Sequence, residues 1–67
     1  GAATVAVTPA KNWTKCVLRP LSLGLTAQRR GAAAVFTIPV APAKVIVEFD
    51  GDVNHALATA LGLRLHS

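Results

Sequence analysis

The three acidic side chains, Glu48, Asp50 and Asp52, stand at alternate positions, with Asn54 and His55 just beyond. Oxygen donors grouped in this way hold hard divalent cations. The spacing is not that of a calcium loop, however, and no bidentate Glu closes it. Asp50-Gly51 is also a strong signal for a tight hairpin turn, and Asp52 is the residue type that caps a helix start. Turn and cap together account for the acids without a metal. A carboxylate beside His55 is the composition of a general acid–base pair. Yet no Ser, Thr or Cys nucleophile sits at a recognisable elbow, and a 67-residue chain has little room for an enclosed pocket. His55 and His66 lack the spacing of a metal-ligand pair. No enzymatic activity, metal or cofactor is expected.

Cys16 is the one cysteine, which rules out an intrachain disulfide framework and a multi-thiolate zinc site within one chain. Lys15 beside it would favour a thiolate, but adjacent strand residues face opposite ways, so Cys16 reads as a buried structural thiol. The cations are better grouped. Lys11, Lys15, Arg19, Arg29 and Arg30 fall in residues 11–30 with no acid among them. On a strand, Lys15 and Arg19 share a face roughly 13 Å apart. Arg29 and Arg30 in a turn can reach a phosphate backbone, and Trp13 can stack a base. No Gly-aromatic motif of an RNA-binding sheet is present. The set therefore suits nucleic acid, an acidic protein neighbour, or a solvated face.

The elements that must position these residues read mostly as strands. Residues 3–8 alternate with Val5 and Val7 on one face. Residues 13–25 read as a long strand interrupted at Pro20, which belongs at a bulge or edge. Residues 26–31 are a polar connection with Gly31 available for a positive φ. In residues 32–40, Phe36, Ile38 and Val40 share one face. Residues 44–49, bounded by Pro42 and Asp50-Gly51, are the clearest strand. Beyond them two patterns compete. Asp50-Gly51 sends the chain back as a hairpin strand, whereas Val53, Ala56, Leu57, Ala60 and Leu61 follow helical spacing, with Asp52 as N-cap and Gly62 as stop. The spacing predicts a helix over 53–61. The expected fold is a single α+β domain over 1–67, a small mostly antiparallel sheet of four short strands and one C-terminal helix. The alternative is all-β with a C-terminal hairpin.

Arg29-Arg30 followed by an apolar run and Ala41-Pro42-Ala43 imitates a secretory signal, but its position inside the chain makes it a by-product of strand composition. The chain contains no Met; a trimmed start is expected, and Gly1 fits removal of an initiator Met. The myristoylation pattern is broken at Val5.

Composition sets the functional class. With 52% hydrophobic and only 15% charged residues, the chain is too apolar for intrinsic disorder. No apolar run reaches the roughly 18–20 residues of a helical membrane span. A domain this small is marginal unless disulfides, metals or partners support it. With the first two set aside, partners remain. One short helix covers part of one sheet face, and strands 3–8 and 32–40 carry no charge, unlike ordinary exposed edges. The expectation is a non-enzymatic structural subunit, soluble and intracellular or virion-associated. It self-associates through an apolar sheet face, as shell, tube or decoration proteins such as small capsid or virion components do. Trp13, Leu21, Leu23, Phe36 and Ile38 are the expected interface. The first alternative is a small basic β-sheet module binding RNA or DNA through Lys11, Lys15, Arg19, Arg29 and Arg30. The second is an accessory chain of a hetero-complex.

Overall fold

In a computed structural model, which describes residues 1–66 (backbone alone at His66), the chain folds into seven strands in two antiparallel sheets. The strands are β1 (Ala3–Val7), β2 (Cys16–Arg19), β3 (Gln28–Arg30), β4 (Ala33–Ile38), β5 (Ala43–Phe49), β6 (Asp52–Thr59) and β7 (Gly62–His66), with a 3-10 turn at Leu21–Leu23. The first sheet has the order β1-β4-β3 and the second β2-β5-β6-β7.

The expected C-terminal helix is absent: Asp52–Thr59 is a strand, and the fold is nearly all β rather than α+β. The reason lies in the preceding turn. Asp50 (φ 48°) and Gly51 (φ 90°) both adopt positive φ, as a type I′ turn requires, and its twist matches paired strands. The chain therefore folds directly back on β5, in register from Phe49↔Asp52 to Ala43↔Ala58. A helix of nine residues is marginal on its own. As a strand, β6 finds hydrogen-bonding partners on both sides, β5 and β7. The helical spacing was real but irrelevant: Ala56 and Ala58 point inward, whereas Val53 and Leu57 lie on the outer face.

The long strand expected over 13–25 is also shorter, confined to Cys16–Arg19, while the connection expected over 26–31 contains β3. A second two-residue turn, Gly31-Ala32, joins β3 to β4, with Gly31 at φ 60°.

Alternation gives each sheet one apolar face, and the two faces meet. The first sheet contributes Val5, Ala34, Phe36 and Ile38; the second contributes Leu18, Val45, Val47, Phe49, Ala56 and Ala58. β1 also packs beside β7, closing one side of the sandwich. The uncharged strands β1 and β4 thus hide their apolar halves inside this chain, and show Thr4, Ala6 and Thr37 outside. No helix among the described residues is long and apolar enough to cross a membrane.

Candidate functional site

Because neighbouring strands are antiparallel, the connections divide between two ends of the sandwich. Residues 8–15 and the turns at 31–32 and 50–51 lie at one end. Residues 20–27, 39–42 and 60–61 lie at the other.

The first end is polar and tied together. Asp50 projects from its turn across the 8–15 connection, where its carboxylate accepts the Thr14 N–H (2.9 Å), the Lys15 N–H (2.8 Å) and the Thr14 hydroxyl (2.9 Å). Donors held this way favour the ionised form. The Thr14 N–H above all, then that of Lys15, sets the Asp50 carboxyl below its ordinary range. Trp13 bridges the sheets. Its indole N–H donates to the Ala32 carbonyl at 2.9 Å, and its ring meets Phe49 edge-on at 5.2 Å between centroids. The Arg29 guanidinium lies 3.7 Å from the Trp13 ring centroid and donates to the Trp13 and Gly31 carbonyls. One face of the indole is therefore already occupied by a cation.

A cleft of about 420 Å³ opens at this end, between residues 9–13 and the β5–β6 hairpin. Pro9, Ala10, Trp13 and Phe49 form its apolar wall, and Lys11, Asp52 and Asn54 its polar one. The Asn54 amide donates to the Val47 and Asp52 carbonyls, which leaves its side-chain oxygen as the acceptor. The acidic series does not converge as a metal site. Glu48 lies on the outer face with Arg19, Asp50 is engaged by the loop, and Asp52 lines the cleft.

The opposite end is different in kind. Residues 20–27, 39–42 and 60–61 contain no Asp, Glu, Lys or Arg. Leu21 is 68% exposed, Val40 70% and Leu61 100%. Connections normally run over the surface in contact with water, so aliphatic side chains left exposed on three of them at one end are unusual.

The five expected interface residues are scattered by the fold. Phe36 and Ile38 are in this chain's own core, Leu23 packs against that core, and Trp13 is half-buried in the bridge just described. Leu21 alone of the five is freely exposed. The sheet face expected to be uncovered is covered by the second sheet, a solution that a four-strand reading could not contain. Val40 and Leu61, exposed at the same end, are not among the five. The signal for them was the absence of charge in three separate connections, which becomes informative once pairing places those connections together.

Of the five cations, Lys11, Lys15, Arg29 and Arg30 lie toward the Asp50 end, and all are exposed. Arg19 is directed along the outer face of the second sheet and pairs with Glu48. That face also carries Lys44 and Arg64, which flank Leu57 across the β5, β6 and β7 register. Cys16 is half-buried, and burial raises its thiol above the ordinary value, which favours the unreactive protonated form.

Compared with known proteins, the chain matches no family model and has no significant match to a curated protein or a solved structure.

Proposed function

We propose that this chain is a non-enzymatic structural subunit that associates with copies of itself, as shell, tube or decoration components do. One observation carries the reading: three charge-free connections lie at the same end and expose Leu21, Val40 and Leu61. Burying such side chains against a second chain removes apolar surface from water at about 25 cal/mol per Å². The association surface is the loop end, because both inner sheet faces are consumed by the core. Light scattering over a concentration series tests this. Mass should rise above that of one chain in the micromolar range, and Val40→Lys should lower it. A particle that stays at 6.9 kDa when concentrated would refute self-association.

A second reading, contact with RNA or DNA, is supported by the gathering of Lys11, Lys15, Arg29 and Arg30 at the other end. Phosphate contacts make such binding fall steeply with salt, with a log-log slope of several units for duplex DNA. Arg29 is already engaged by Trp13 and two carbonyls, and Arg19 by Glu48. Lys15→Glu with Arg30→Glu should therefore abolish the binding. Failure to bind a generic oligonucleotide at low salt would eliminate this reading.

A further inference from the structure

We infer that the Trp13–Phe49 cleft takes one unpaired base of a single-stranded nucleic acid, with Lys11 and Lys15 on the flanking phosphates. This rests on the second reading above, contact with RNA or DNA, and names the strand form and the base.

Charge decides what approaches. Lys11, Lys15, Arg29 and Arg30 lie toward this end with only two carboxylates, and Asp50 is taken up by Thr14 and Lys15. Lys11 lines the cleft, and Lys15 stands where Asp50 pins the loop that walls it. An anionic backbone is therefore drawn to the rim.

Shape decides what enters. A volume of about 420 Å³ is toward the small end for small-molecule sites, room for one nucleoside rather than a folded segment. The indole of Trp13 is the stacking surface. Arg29 covers part of that ring but does not line the cleft, so the part facing the cleft is open. The Ala32 carbonyl and the edge-on Phe49 ring hold the indole in place. A ring fixed beforehand loses little entropy when a base stacks on it.

Hydrogen bonding decides which base. The Asn54 amide N–H groups are engaged by the Val47 and Asp52 carbonyls, so Asn54 offers the cleft its oxygen. Asp52 lines the same wall two residues away and has no ion-pair partner among the described residues. Carboxylate and amide oxygens accept from the exocyclic amino group of cytosine, whereas thymine presents a carbonyl at that position. A carboxylate beside a phosphodiester also repels it, so Asp52 weakens binding unless a base donates to it. A base held in a duplex reaches neither the indole nor Asp52 unless it is flipped out.

Trp13 is the only tryptophan in the chain, so its fluorescence reports on the cleft. Single strands of about ten nucleotides, titrated at low salt, test the proposal. Oligodeoxycytidine should quench Trp13 saturably and bind about five- to tenfold more tightly than oligodeoxythymidine of equal length and charge. A duplex of that length should leave the fluorescence unchanged. Asp52→Ala, at an exposed position, separates base from backbone. It should tighten binding of the thymidine strand, because a repelling charge is gone, and erase the preference for cytidine. Three results would each place the base outside the cleft and leave nucleic-acid contact standing: equal affinity of the parent chain for both strands, an equal quench by duplex, or a cytidine preference that survives Asp52→Ala. No binding of any strand at low salt overturns both.

Discussion

Asp50 binds Thr14 twice, taking its backbone N–H on Oδ2 and its hydroxyl on Oδ1, each at 2.9 Å. The same turn returns a bond, since the Asp50 N–H donates to the Lys15 carbonyl at 2.9 Å. One side chain thereby fastens the β5–β6 hairpin to the 8–15 connection that forms the cleft wall.

That arrangement sets a pH dependence. The folded carboxyl of Asp50 is lowered, chiefly by the Thr14 and Lys15 N–H groups. Its contribution to stability is full above the unfolded carboxylate value of about 3.9, and it is lost as pH falls through the lower folded value. The melting temperature should therefore be insensitive to this group near neutrality and decline through it below about pH 4. In Asp50→Asn the baseline should be lower and the acid decline shallower. An identical decline in that variant would remove Asp50 from the titration.

Gly51 offers a cleaner measure of turn strain. It sits at φ 90°, and a Cβ placed there meets no atom within 4 Å. The cost of Gly51→Ala is thus conformational and not steric, of order 1–3 kcal/mol for a non-Gly residue held at positive φ. Urea unfolding should show a shifted midpoint with an unchanged slope. A cost near zero would mean that the turn relaxes to another type.

The hairpin illustrates what the sequence made legible. Asp50-Gly51 dictated the turn, and the alternation Val45, Val47, Phe49 dictated the buried face of β5. Residues 53–61 misled because Ala and Leu satisfy helical and strand spacing alike, and intrinsic preference yields to a partner strand already in place. Trp13 misled for another reason. Its neighbours suggested a strand, but Asp50, far along the chain, captures Thr14 and Lys15 and holds the segment as a loop. The polarity between the two ends was invisible for the same cause. Leu21, Val40 and Leu61 are distant in sequence, and only the strand pairing brings their connections to one end.

The Trp13–Arg29 pair is open to a double-mutant cycle. Trp13→Phe keeps a ring but loses the N–H bond to the Ala32 carbonyl, a neutral hydrogen bond of about 0.5–1.5 kcal/mol. Arg29→Gln removes the cation from the ring face. An exposed cation–π contact is worth about 0.5–1 kcal/mol, so the coupling measured with Trp13→Ala and Arg29→Gln should fall in that range. Strict additivity would show that the two act independently.

Phe36 and Leu21 separate folding from association. Phe36 is 3% exposed, pairs across the ladder with Val5, and lies in the layer between the sheets. Truncating such a ring removes its transfer energy and leaves a cavity, so Phe36→Ala should cost about 3–5 kcal/mol. That is most of the stability expected of a domain this small. Phe36→Asp adds a desolvated charge and should leave the chain unfolded at every concentration, with flat near-ultraviolet circular dichroism. Leu21→Lys lies at an exposed position and should change stability by less than about 0.5 kcal/mol. Any loss of assembled mass in Leu21→Lys then belongs to the surface and not to the fold. A folded Phe36→Asp chain that merely fails to assemble would place Phe36 in the contact between subunits and contradict the packing of the two sheets.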